Sequence, residues 1–250
     1  MDYEQEAKQK AAELREGLGN EPISALLPFI EQRLQIDVAV VRSVQNQHGI
    51  SAYDSATGNR YILIETTPHP FRWRTNLAHE VAHVLFRDHN ANLKEGAGDR
   101  TYAEKRADSF ARHLLIPEEG LKEFNDAAGP LPLENFSHVV RMYRVSPRMA
   151  SIALRRIGRI SNEEYEYFAS FSAPKLATRF GWRKEYDDQA QESNQPKPPR
   201  RLLARAIQGY EEGIVPLARV AALAGETTQN MEQIFDEAGI TVRDLGEDAF

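Results

Sequence analysis

The chain has 250 residues, of which 41% are hydrophobic and 27% charged, with no cysteine and a net charge of −6. Disulfides, thiolate nucleophiles, cysteine-ligated zinc and iron–sulfur clusters are therefore excluded, and the acidic balance argues against a general nucleic-acid binder while leaving room for a local basic patch. The opening "MDYEQEAKQKAAEL" is too charged for a signal peptide and no apolar run approaches about 18 residues, so a soluble, cytoplasmic protein without a membrane partner is expected.

Residues 1 to 20 read as a polar helix stopped by "GLGN". In "EPISALLPFIEQRLQ", Ile23, Leu26, Leu27, Ile30 and Leu34 fall at helical spacing and predict a second helix with one apolar face. The period then shortens. "IDVAVVRSV" is β-branched and alternating, and "GISAYDSATGNRYILIETT" holds two extended runs around a "TGN" turn, so three strands in a small antiparallel sheet are expected. "TPHPFRWRT" leads into an apolar helix, "NLAHEVAHVLF", and the polar, glycine-containing "RDHNANLKEGAGDRT" into another, "YAEKRADSFARHLLIP". The latter carries one apolar stripe and is closed by Pro117. From 118 to about 185 the pattern is helical with breaks. "DDQAQESNQPKPPR", 187 to 200, has a linker's composition, and 201 to 250 reads as three short helices.

The first of those two helices carries the chemistry. His79 and His83 are four residues apart, which puts both imidazoles on one helix face about 5–6 Å apart at Cβ, within reach of a single ion. Glu80 sits roughly 100° round from His79, off the ion but able to take a proton from a water held there and deliver it to a leaving amine. This is the logic of the His-Glu-x-x-His pattern. The competing reading is an ordinary amphipathic helix that happens to carry histidines. Leu77, Ala78, Val81, Ala82, Val84 and Leu85 weigh against it, because a helix apolar almost all round is buried and its polar groups then need partners. Glu104 on the next helix is the candidate third ligand, and Asp108, one turn on, the candidate acceptor for the free ring nitrogen of a ligating histidine. His89 stands at the third-histidine position of a longer pattern, but Phe86 occupies the place of its glycine, so His89 is a weak candidate. Arg72, Arg74 and Tyr102 are candidates for a second donor to a developing oxyanion.

"RTNLAHEVAHVLF" followed by "YAEKRADSFARHLLIP" resembles the ImmA/IrrE family of zinc metallopeptidases, with supporting similarity in "LQIDVAVV", "GISAYD" and "NRYILIETT", over roughly residues 22 to 160. The resemblance implies a zincin-like core, Zn2+ as cofactor and Glu104 as the third ligand. It also implies a role in cleaving, or helping to inactivate, helix-turn-helix repressors of mobile elements or stress regulons. The family usually has Arg-Phe-Thr before Leu-Ala-His; here the run is Arg74-Thr75-Asn76, with Asn76 expected to serve as N-cap.

"NFSHVVRMYRVSPRMASIALRRIGRI" resembles a helix-turn-helix, and residues 137 to 184 hold ten basic and three acidic side chains. The readings rank as a packing element with a solvated cationic face, then a surface for an acidic protein, then a DNA contact. The tail also scans as a helix-turn-helix of antitoxin-like type. Its would-be recognition helix carries Glu232, Asp236 and Glu237 and no Lys or Arg, which favours protein docking over DNA reading. The expectation is thus an α+β protein: a zincin-like domain over 1–130, a helix-turn-helix-like segment over 131–186, a flexible linker over 187–200 and a helical module over 201–250. Its expected activity is zinc-dependent endoproteolysis of a narrow protein substrate, a DNA-binding repressor. The alternative is a non-cleaving anti-repressor or toxin–antitoxin component that acts by binding.

Overall fold

A computed structural model describes residues 2–42, 49–88, 101–124 and 129–242. The order is α1 (Tyr3–Leu14), α2 (Leu26–Leu34), β1 (Asp37–Val41), β2 (Gly49–Tyr53), β3 (Arg60–Glu65), α3 (Pro70–Phe86) and α4 (Tyr102–Leu115). After a 3-10 turn (Glu118–Phe124) follow α5 (Leu133–Tyr143), α6 (Pro147–Arg156), α7 (Asn162–Ala169), α8 (Ala173–Arg179) and α9 (Arg183–Ser193). The chain then continues through α10 (Arg200–Glu211), α11 (Leu217–Ala224) and α12 (Thr228–Ala238). The fold is α+β, as expected.

The sheet is mixed, not antiparallel. Its order is β1-β3-β2, with β1 parallel and β2 antiparallel to β3. The turn after β2 makes a hairpin, as the "TGN" signal implied. The hairpin's second strand is the one that lies beside β1, and alternation alone does not encode which strand of a hairpin is central. Val38 pairs with Ile62 and Val40 with Ile64, and these four side chains make the buried face. Ser51 pairs with Ile62 and Gly49 with Ile64. The period of two therefore turns Gly49 and Ser51 inward, toward α3. The outer edge of β1 is covered, because Val40 and Lys197 exchange both backbone hydrogen bonds at 2.9 Å. Among the described strands β2 is the other edge, with Ile50 and Tyr53 exposed.

Pro70, at the first helical position where its missing N–H costs nothing, starts α3. Asn76 thus lies inside the helix and does not cap it, which corrects the expectation above. The Thr75 hydroxyl donates back to the Phe71 carbonyl at 2.9 Å in the same helix. Leu77, Ala78, Val81 and Ala82 are fully buried against the sheet and α4. α3 ends at Arg87, whose left-handed backbone turns the chain so that Asp88 N–H donates to the His83 carbonyl. Thr101 caps α4 by accepting from the Glu104 N–H at 3.1 Å.

The stretch 187–200 is not a flexible linker. Its first half belongs to α9, held by the pairs Arg183–Asp187 and Lys184–Asp188 one turn apart. Ser193 then bonds to Thr67 through both its carbonyl and its hydroxyl, and Lys197, between two prolines that favour extended backbone, covers β1. The polar composition belongs to a solvated helix followed by an edge-covering strand. α10 to α12 enclose a small core of their own around Val220, Ala221, Met231 and Phe235, and Arg205 pairs with buried Asp37 at 2.5 Å. Glu232, Asp236 and Glu237 are exposed on α12. No helix among the described residues is long and apolar enough to cross a membrane.

Candidate metal centre

The end of α3 and the start of α4 bring His79, His83 and Glu104 together. The Nε2 atoms of the two histidines are 3.1 Å apart, and each lies 3.3 Å from a Glu104 oxygen. On the far side of each ring, Nδ1 meets a carboxylate: His79 meets Asp108 at 3.0 Å, and His83 meets Asp88 at 2.8 Å. Those carboxylates fix the tautomers. With Nδ1 donating its proton outward, each Nε2 points a lone pair inward.

Three electron-pair donors therefore face one another in a buried place, and Glu104 Oε1 has no hydrogen-bond partner there. Such crowding is unfavourable without a cation. Zinc bonds of about 2.0–2.1 Å in a tetrahedral site put ligand atoms roughly 3.3 Å apart, which matches these separations, and two imidazoles with a carboxylate leave the fourth position open. The donor set fits a divalent metal. Without one, protons hold the cluster together. Burial disfavours the charged rings, yet the carboxylates Asp108 and Glu104 for His79, and Asp88 and Glu104 for His83, push both up to about 9. The same histidines hold Glu104 far below the usual carboxylate range.

Glu80 lies on the adjoining face of α3, close enough to feel His79, His83 and Glu104. Burial raises its pKa, opposed by the two histidines and by a hydrogen bond from Ser51. A Cβ added to Gly49 would stand 2.7 Å from Glu80 Cγ, so β2 approaches the carboxylate as closely as a bare backbone allows. The strand thus clamps the side chain from two positions.

Residues 32–155 match the peptidase family model described as the IrrE N-terminal-like domain. Residues 32–155 belong to the ImmA/IrrE family. A comparison with curated proteins gives no match. The matched segment of the ImmA/IrrE domain takes in the whole sheet, α3, α4 and nearly all of α6, and it supports a metallopeptidase-type function in general.

All five site residues proposed from sequence meet at this place. His89, like His48, lies outside the described residues. Of the proposed oxyanion donors, Arg74 faces away: it is buried and donates to the carbonyls of Ile23 and Ser24. The Tyr102 hydroxyl donates to Glu6 at 3.1 Å. Sequence reasoning missed Asp88, Ser51, Gly49 and the clamp on Asp88. In that clamp Arg106 donates to Asp88 at 2.8 Å and to Glu6 of α1 at 2.6 Å, with its guanidinium 4.0 Å above the Phe86 ring. Asp88 carried a weak signal, an acid just past the helix end. Ser51 and Glu6 are too far away in sequence to carry one.

Several of the basic side chains between 137 and 184 have partners within the chain, most of them at the surface. Arg141 pairs with Glu185, Arg156 with Glu4, Arg183 with Asp187 and Lys184 with Asp188. Arg159 is buried on the carbonyls of Phe124 and Gly129, and Arg155 lies over Tyr165.

Proposed function

We propose that the chain is a zinc-dependent endopeptidase with a narrow protein substrate. The observation that carries this reading is the inward convergence of three lone-pair donors whose outer faces are held by carboxylates, with Glu80 beside them. His79, His83 and Glu104 would hold the ion, which supplies Lewis acidity to a water and to the scissile carbonyl. Asp88 and Asp108 keep the imidazoles in the ligating tautomer. Glu80 is the proton carrier: burial raises its affinity for a proton, and Ser51 and Gly49 restrict its position, so it can take a proton and give it to the leaving amine. Among the described strands β2 is an edge, and it lies beside Glu80, where an extended peptide can add as a strand. An extended segment of a folded regulator would be read this way. The resemblance to the ImmA/IrrE family makes a helix-turn-helix repressor the proposed substrate.

The test is Glu80→Gln in the full chain. Peptidase activity should fall by about 10²–10⁴-fold with bound metal unchanged. Profiling of new protein N-termini in the native host, wild type against variant, identifies the substrate in the same experiment. A variant as effective as wild type would show that the chain acts by binding alone.

A further inference from the structure

Asp88 stands just past the end of α3, on backbone that has left the helix through the left-handed Arg87. Its N–H is fixed on the His83 carbonyl at 3.1 Å, but its side chain is not fixed by helix geometry. Several rotamers are open to a short acid in such a place, and only some of them aim an oxygen at His83 Nδ1.

Arg106 removes that freedom. Asp88 Oδ1 meets His83 Nδ1 at 2.8 Å, and Arg106 donates to Asp88 Oδ2 at 2.8 Å, so each carboxylate oxygen has its own partner. The guanidinium is held in turn. Its other terminal nitrogen donates to Glu6 of α1 at 2.6 Å, and its carbon lies 4.0 Å from the centre of the Phe86 ring. Glu6 also accepts from the Tyr102 hydroxyl at 3.1 Å, and the Tyr102 ring meets Tyr3 of α1 edge-on. The Asp88 and Arg106 side chains are each only 16% exposed, so their bond is shielded from the solvent that weakens surface pairs. A planar guanidinium can bridge two carboxylates at a set angle, which an ammonium cannot do.

The contacts therefore run in one line: Glu6 on α1, Arg106 on α4, Asp88, and His83 on α3. The plain alternative is that the bridge only fastens α1 to α4. That fastening is already supplied elsewhere, by the buried Ala7, Ala11 and Leu14 and by Glu4 with Arg112, Ser109 and His113. Neither of those contacts reaches Asp88. We propose that Arg106 and Glu6 are positioning residues of the metal centre, locking Asp88 against His83 and so coupling the seating of α1 to metal affinity. The proposal rests on the metal reading of His79, His83 and Glu104. It makes α1, which lies outside residues 32–155, a working part of the centre.

The experiment measures Zn2+ affinity of the full chain by competition with a chelating dye. Arg106→Gln should weaken binding about tenfold and Glu6→Gln about threefold, less than or equal to the loss of a carboxylate that touches a ligand. The double variant should bind like Arg106→Gln alone, because Glu6 acts only through Arg106. Arg106→Lys, which keeps the charge without the fork, should recover at most part of the loss. Lys8→Gln is the control: it removes another α1 ion pair, with Glu118 at 2.6 Å, and should bind as wild type. Thermal unfolding of the metal-free chains separates a role in the fold. A lowered midpoint in Arg106→Gln with zinc affinity unchanged would show that the bridge only fastens α1, and would overturn the proposal. Additive losses in the double variant, or full recovery in Arg106→Lys, would do the same. Glu6→Gln, at a more exposed side chain, carries the test if Arg106→Gln does not fold, and unchanged affinity there would count against the bridge. A wild-type chain that takes up no zinc would bring down the metal reading itself and this proposal with it, an outcome distinct from equal affinities across the variants.

Discussion

Helix α4 carries two clusters that look alike as lists of residues. Near its start Glu104 meets His79 and His83; near its end His113 meets Glu4 and Glu118. Both are buried or half-buried, and both bring three imidazole and carboxylate groups within ligand distance of one another, two histidines and one glutamate in the first and one histidine and two glutamates in the second. What surrounds them differs. Glu4 accepts from Arg112, from Arg156 at 2.7 Å, from Ser109 at 2.5 Å and from His113 at 2.8 Å, while Lys8 takes Glu118 at 2.6 Å. Three cations already occupy the electron pairs a metal would use. In the first cluster the outer neighbours of the histidines are the carboxylates Asp88 and Asp108, which leave the inward lone pairs free. Proximity of donors therefore does not define a metal site; the occupancy of their lone pairs does. The Glu4 cluster serves instead to fasten α1 onto α4.

The sharpest way to break this comparison is to remove one histidine from each cluster. His83→Ala should reduce bound metal from an equimolar amount to background, measured by elemental analysis of the purified chain. His113→Ala should leave the metal in place and lower the thermal midpoint instead, because it strips a buried hydrogen bond from the α1–α4 contact. If His113→Ala loses the metal while folded, the two clusters have been assigned the wrong way round.

A smaller effect is expected one layer out. Asp88→Asn and Asp108→Asn keep size and shape but no longer hold the tautomers by charge, and each should weaken metal affinity about 10–100-fold. Glu118→Gln, the matching change in the other cluster, should leave affinity unaltered. Competition with a chelating dye reads all three. Equal affinities across the set would mean that the outer carboxylates do not tune the site.

Asp88 also marks where sequence reading stops. His79, Glu80 and His83 were legible because one helix turn fixes their relation, and Glu104 and Asp108 because a second helix fixes theirs. The helices and strands were legible from period and caps. What could not be read needs the third dimension. Ser51 and Gly49 reach Glu80 only because β2 is the edge strand with those positions inward, and the strand order that does this is set by which half of the hairpin lies beside β1. The cations that silence the Glu4 cluster arrive from α1, α4 and α6. The same blindness produced the linker reading of 187–200, where a polar helix face and two prolines have a linker's composition without its freedom.

The finest distinction between the clusters is their pH dependence in the metal-free chain. His79 and His83 have folded values raised to about 9 from 6.5, and as close neighbours they titrate as a pair. Their contribution to stability is complete below about pH 6.5 and disappears as pH rises through about 9. Glu4 behaves oppositely. Burial opposes its charge, but His113, Ser109 and Arg112 hold it well below its ordinary value of 4.5, so its contribution is present above that value and is lost in acid. Glu104 is also depressed, so acid weakens both clusters and only the alkaline limb separates them. The thermal midpoint of the metal-stripped chain should therefore fall between pH 6.5 and 9. His83→Gln should flatten that fall, and Glu4→Gln should preserve it while lowering the midpoint at neutral pH. An equimolar addition of Zn2+ should reverse the slope, because the metal competes with the same protons and binds more tightly as they leave. A flat alkaline limb in the stripped wild-type chain would mean that the two imidazoles are not held between carboxylates, and the reading of the metal centre would lose its main support.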